Sequence, residues 1–222
     1  MDAISEQTGI PAVYIEANID SMGQTYTMLG ELLGREEEAK VLVDYCNELY
    51  TTIETKMAEI GEENKVTMLY LTGENGLNVI ARGSYHSQLI NLMAVNAADL
   101  DNASSKGTGD ETSMEQILLW DPAYIIFSPN SAYAKAGSDP VWMELKAIQN
   151  GNYYEAPSNP YSWMGFPPSI NRYMGLIWLC ETFYPDEFDF DLKEETIRFY
   201  KLFYHAELTD ELYETITQNA IR

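Results

Sequence analysis

REEEAKVLVDYCNELYTTIETKMAEI, residues 35–60, decides the fold. Its apolar residues are Ala39, Leu42, Val43, Cys46, Leu49, Tyr50, Ile53, Met57 and Ile60. They recur every three or four positions, the repeat of one helical face. Glu36, Glu37 and Glu38 occupy the first turn, where the helix dipole favours negative charge. Gly61 follows the last apolar residue and suits the left-handed conformation that closes a helix. At 1.5 Å per residue the predicted helix spans about 39 Å, the width of a small domain. About 34 residues precede this strut and about 160 follow it.

Composition narrows the function classes. The chain has 222 residues, enough for one large domain or two small ones. A formal charge of −22, with only 13 Lys and Arg, argues against nucleic acid, whose binding needs a basic patch. The charge reads either as a solvated surface or as a docking face for a basic partner. No apolar run approaches the roughly 20 residues of a membrane span. The opening MDAISEQTGI lacks the basic start and apolar core of a signal peptide. Two readings stay open: a cytoplasmic chain, or one whose N-terminal part lies outside this sequence. Cys46 and Cys180 each fall on an apolar helical stripe and read as buried thiols. There is no CxxC or HExxH motif, and His86 and His205 are too few for a histidine metal site or a serine triad.

Around the strut the pattern alternates. Residues 3–7 read as a helix end, 10–16 (IPAVYIE) as a strand, and 21–34 as a short helix. Beyond Gly61, strands are predicted at 65–71, 77–81, 123–127 and 153–156, and helices at 84–93, from Thr112 or Ser113 to Trp120, 140–148, 169–183, 192–204 and 209–216. In the helix after Ser113, Ile117, Leu118 and Trp120 are expected to be buried. Residues 96–110 read as a loop, and GENG at 73–76 as a turn. Strands alternating with helices predict an α/β three-layer sandwich with a mostly parallel sheet.

In such sheets ligands bind beyond the carboxyl ends of the strands. The residues there are Arg82, Tyr85, His86, Tyr133, Tyr161, Trp163 and Phe166. Aromatic faces and a fixed guanidinium fork suit a bulky, partly aromatic, anionic ligand. Each residue also has a plainer reading: loop packing for Tyr161 and Trp163, a surface or capping role for His86, a salt bridge for Arg82. No nucleophile–base set is visible. Asp99, Asp101, Asp110 and Glu111 offer carboxylates for a glycosidase-type pair, but in an acidic loop with no apolar pocket to raise a pKa.

GIPAVYIE, LGELLGREEEA, the long helix, SMEQILLWDPAYIIF, VWMELKAIQNGNYYEAP and PPSINRYMGLIWLCETFYPDEF follow in that order. Together they resemble the substrate-binding proteins of bacterial ABC importers for iron–siderophore, haem and cobalamin. The resemblance covers essentially the whole chain and implies two α/β lobes joined by one rigid helix, with ligand held between them. On that reading residues 1–34 are a remnant of the N-terminal lobe, 35–61 the interlobe helix and 62–222 the C-terminal lobe. The chain is then a class III periplasmic-binding-protein fold lacking most of its first lobe. Ala94-Val95-Asn96 departs from the paired glycines usual before that Asn. The resemblance also implies that Glu115 docks the C-terminal lobe on arginines of a permease, and that Arg82, Tyr161 and Trp163 fall on loops that line the cleft. Loops after neighbouring parallel strands emerge on one sheet edge, so these three are expected on one shared rim. It places the protein in the periplasm or on the outer face of the membrane, with signal and anchor absent from this chain.

The leading expectation is therefore a non-enzymatic binding protein for an iron chelate such as a ferric siderophore or haem, without a resident cofactor, working with an ABC permease. Molybdate or tungstate is the alternative ligand. A lobe that dimerises as an interaction module without binding a small molecule is the competing reading.

Overall fold

The computed structural model describes residues 2–221. Residues up to Tyr50 form one compact unit and those from Thr51 onward the other, the division falling inside the long helix. The first unit holds α1 (Asp2–Thr8), α2 (Met22–Leu33) and the start of α3 (Glu36–Ile60). As the 3–4 spacing requires, α3 is one uninterrupted helix of 25 residues. Ala39, Cys46 and Leu49 of its stripe are buried in the first unit, together with Tyr45 beside it, and Ile53 and Met57 in the second. α2 ends on Gly34 in the left-handed conformation, and its Gly23 and Gly30 lie against Asn47 and Ala39 of α3. The strand expected at 10–16 does not form; no strand of the described chain pairs with it, and Val13 and Tyr14 stand exposed.

The second unit is built on a six-stranded mixed sheet in the order β4-β2-β1-β5-β6, with β3 also beside β1. Its strands are β1 (Thr67–Thr72), β2 (Asn78–Val79), β3 (Val95–Asn96), β4 (Asp110–Glu111), β5 (Tyr124–Phe127) and β6 (Tyr153–Glu155). β1 runs parallel to β3 and β5, and β5 parallel to β6. β2 returns antiparallel from the turn at 73–76, and β4 is antiparallel to β2. The two-residue strands β3 and β4 lie at the ends of the stretch expected to be a loop; strands that short leave no periodic signal.

Alternation along the strands splits the core between two faces. Leu69, Leu71, Ile125 and Phe127 form one cluster with Ile117 of α5 (Met114–Trp120), Ala136 of α6 (Tyr133–Ala136) and Ala147 and Ile148 of α7 (Lys146–Gln149). Met68, Tyr70 and Ile126, equally buried, alternate to the other face. α4 (Gln88–Met93) packs there on α8 (Arg172–Phe183), and α8 on α9 (Leu192–Phe199). The Tyr184 hydroxyl, just past α8, donates to Met93 O at 2.9 Å and accepts from Val66 N at 3.1 Å, tying that layer to the start of β1. The Trp178 indole donates to Ala220 O at 2.8 Å, fixing the chain after α10 (Asp210–Thr217). Cys46 and Cys180 are buried and not joined in a disulfide.

Local chemistry explains the other departures. The helix expected over 140–148 is broken into a 3-10 turn at 142–144 and α7, with Leu145 extended between them. Asp139 Oδ1 captures Val141 N and Trp142 N, and Asp121 Oδ1 captures Lys146 N, so these donors serve side chains instead of a continuous ladder. In α5, of the two candidate caps, it is Ser113 that accepts from Gln116 N. Leu118 and Trp120, expected to be buried, are only half-buried; Ile117 is the fully buried residue, so the cavity cost of truncation attaches to it.

Candidate functional site

A cleft of about 320 Å³ opens at the carboxyl ends of β1, β5 and β6. Its lining is Tyr70, Thr72, Gly73 and Asn78 from the β1–β2 hairpin, Gly107 and Thr108 before β4, Ser128 and Pro129 after β5, and Ser158, Ser162 and Phe166 from the loop after β6. Six of these carry a hydroxyl (Tyr70, Thr72, Thr108, Ser128, Ser158 and Ser162), and none carries a formal charge. Small polar residues stand where the apolar strands end because the backbone must turn there and its donors need partners. The Thr72 hydroxyl donates to Thr108 O, the Ser131 hydroxyl to Gly73 O at 2.7 Å, and Ser162 Oγ accepts from Met164 N at 3.1 Å.

Tyr70 is the buried floor of the cleft. Burial pushes its phenol up to about 12, with a hydrogen bond from Ser162 acting the other way. It is therefore a neutral hydrogen-bonding group across the physiological range, not a phenolate. An unfolded tyrosine titrates near 10, so above that pH ionisation favours the unfolded chain. Stability present below pH 10 should fall as pH rises toward 12, by roughly 1 kcal/mol at pH 11. Urea unfolding at pH 9 and pH 11 tests this: Tyr70→Phe should be flatter than wild type, and equal slopes would show that Tyr70 does not titrate with unfolding.

The sequence-selected residues do not converge on one rim. Arg82 follows β2, and because β2 runs antiparallel its carboxyl end lies at the opposite sheet edge. Arg82 there lines a separate recess with Glu62, Asn91, Ala94, Val95 and Asn96, beside the start of β1. It bonds Asn96 O at 3.0 Å and pairs with Asp99 at 3.4 Å. The expectation of a rim shared by Arg82, Tyr161 and Trp163 is thus corrected. Trp163 is also not a rim residue: its side chain is fully buried, and its Nε1 has no hydrogen-bond partner among the described residues. Tyr133 opens α6 and packs on Tyr153 at 5.5 Å, away from the cleft lining.

Tyr85, His86 and Tyr161 lie nearer the cleft. His86 Nδ1 is 2.9 Å from Gly165 O, and since a carbonyl only accepts, Nδ1 carries the proton. The Tyr85 and Phe166 rings meet the imidazole edge-on at 5.6 and 5.8 Å. Tyr85 is in turn covered by Arg172, whose guanidinium carbon is 5.9 Å from the ring centre. Tyr85 and His86 therefore back Phe166, the residue that forms the wall. The Phe166 ring lies where a side chain on Gly107 would start, within 1.7 Å of that Cβ position. Tyr161 is exposed on the same loop.

Glu115 is exposed in the first turn of α5. Its own backbone N–H and the Ser113 hydroxyl hold its carboxyl below the usual carboxylate range. Glu111 pairs with Asn78, which pairs with Thr72 at the end of β1, so α5 starts from the sheet edge that carries the cleft. Among the described residues no group of three or more His, Cys, Asp or Glu side chains is placed to hold a metal ion, and no helix is long and apolar enough to cross a membrane.

The lining residues Thr72, Ser128, Ser158 and Ser162 were missed because the sequence reading weighted large aromatics. The available signal was a small hydroxyl residue at or just past the strand ends: Thr72 closes β1, Ser128 follows β5 and Ser158 stands three residues past β6.

Comparison with known proteins agrees with this architecture. The profile of the periplasmic binding protein family matches residues 4–160. The chain is similar to the Fe(3+)-citrate-binding protein YfmC of Bacillus subtilis, 22% identical over 151 residues, which are 66% of this chain and 46% of that protein. It is similar to the Molybdate-binding protein MolA of Haemophilus influenzae, 21% identical over 190 residues, 84% of this chain and 52% of that protein. It thus spans about half the length of both curated relatives. An ABC transporter solute binding protein from Sulfurospirillum deleyianum superposes with a TM-score of 0.90 at 27% identity, over 98% of this chain and 68% of that one. The chain belongs to the periplasmic binding protein family.

Proposed function

We propose that the chain is the substrate-binding component of an ABC importer, or its C-terminal lobe, and binds a small oxygen-rich anionic metal species without chemical conversion. The observation that carries this reading is the neutral, hydroxyl-bearing cleft at the carboxyl ends of β1, β5 and β6. Such a lining binds an anion through hydrogen bonds. With Tyr70 held as a neutral phenol and no charged lining residue, a metal ion has to arrive inside its own ligands. A ferric chelate of the citrate type fits that requirement and is the leading ligand; molybdate or tungstate is the alternative. Tyr161 extends the binding loop, and Tyr85 and His86 support its Phe166 wall.

Glu115 is the proposed contact to a basic pocket of the permease, in the periplasm or on the extracellular face of the membrane. An exposed carboxylate at the cleft edge meets such a pocket in a salt-sensitive contact.

Calorimetric titration of the purified chain with ferric citrate, molybdate and tungstate tests the function. One of the three should bind and raise the melting temperature, since ligand at 100 times Kd stabilises by about 2.7 kcal/mol. A folded chain that binds none of them contradicts the reading.

A second reading, pairing with a second copy of the chain, is favoured by the apolar residues the first unit exposes: Ile10, Val13, Tyr14, Leu32 and Leu33. Sedimentation should then show a dimer at micromolar concentration; a strict monomer excludes it.

A further inference from the structure

We propose that Asn171, Tyr200 and Tyr204 form a brace that sets the position of the cleft loop at 158–166. They act as positioning residues for ligand binding, which rests on the cleft being the ligand site.

Asn171, at the start of α8, is fully buried. Its Nδ2 donates to Asn159 O at 3.0 Å and to Tyr161 O at 2.9 Å, so both amide hydrogens end on the loop backbone. Two carbonyl partners on one side fix which amide atom is nitrogen. Its Oδ1 accepts from the Tyr204 hydroxyl at 2.5 Å. The Tyr200 hydroxyl donates to the same Asn159 O at 2.7 Å. Both tyrosines belong to the π-helical turn Tyr200–Tyr204 that follows α9, a wide turn of a kind often found at functional sites.

The held carbonyls, 159 and 161, lie between two cleft residues. Ser158 and Ser162 line the cleft and form a β-bridge with each other, closing the short loop that the brace grips. Beyond it, Trp163 N donates to Pro157 O at 2.9 Å and Gly165 N to Ser162 O at 3.4 Å. The brace lies outside the cleft lining, so it acts by fixing where the two serines stand. No lining residue supplies these bonds, so the loop's geometry depends on a segment about forty residues further along the chain.

Amide hydrogen exchange on the whole chain tests this, comparing wild type with Tyr204→Phe, Tyr200→Phe and Asn171→Asp. The last is isosteric and turns two donors into acceptors; the tyrosine variants keep the test decisive if it fails to fold. Exchange within 158–166, read at Trp163 and Gly165, should accelerate at least tenfold, while Thr67–Thr72 and Tyr124–Phe127 keep their wild-type protection. The Kd for ferric citrate, or for molybdate if that is the anion bound, should rise at least tenfold. Unchanged exchange in the loop, acceleration spread evenly over the strands, or a loosened loop with unchanged Kd would each overturn the proposal. If neither anion binds wild type, the ligand reading falls and the exchange comparison alone decides the brace.

Discussion

Trp163→Ala is expected to destabilise the unit from Thr51 onward by about 3–5 kcal/mol, the usual cost of deleting a large aromatic from a packed interior. Trp163 was selected from sequence as a ligand contact, yet it is buried completely, and deleting it leaves a cavity under the cleft loop. Trp163→Phe should be far milder. It also shrinks the side chain, but it removes an indole N–H that has no partner among the described residues, and an orphaned buried donor costs about 1–3 kcal/mol. Urea unfolding of both variants checks the pair. Equal losses would show that the indole N–H is satisfied; a small loss in the alanine variant would show that the side chain is not in the core.

Gly175→Ala should also destabilise, by roughly 2–3 kcal/mol, although alanine favours a helix interior by about 1 kcal/mol over glycine. A Cβ at 175 would lie 2.2 Å from Trp163 O and 2.8 Å from Leu89 Cδ1. Leucine can rotate away, but the Trp163 carbonyl belongs to a backbone held by the 2.9 Å bond from Trp163 N to Pro157 O. α8 and the cleft loop would have to separate. Denaturant unfolding measures the loss, and a variant as stable as wild type would mean that α8 and the loop stand further apart.

These two positions show what sequence alone could reach. α3 was legible because 25 residues repeat one helical spacing, and β1 and β5 because they are apolar runs bounded by turn signals. The fold class followed from their alternation with helices. The site was less legible for a geometric reason. Arg82 and Phe166 both follow predicted strands, but the tight turn at 73–76 makes β2 antiparallel, sending Arg82 to the opposite edge. A hairpin-length connection already implied that reversal. Trp163 and Tyr161 are two residues apart, yet one is buried and the other exposed, a difference set by loop packing and not by residue type. The brace joins Asn159 to Tyr200 and Asn171 to Tyr204, a pairing that no local pattern encodes.

The central claim is that ligand binds at the carboxyl ends of β1, β5 and β6, not at the edge marked by Arg82. Calorimetric titration of ferric citrate and molybdate into wild type, Ser158→Glu and Arg82→Ala tests it most directly. Ser158 is exposed at the cleft, so a carboxylate there should repel the anion with little strain on the fold. Ser158→Glu should lose binding by at least tenfold, while Arg82→Ala keeps the wild-type Kd. Binding lost in Arg82→Ala and intact in Ser158→Glu would contradict the account.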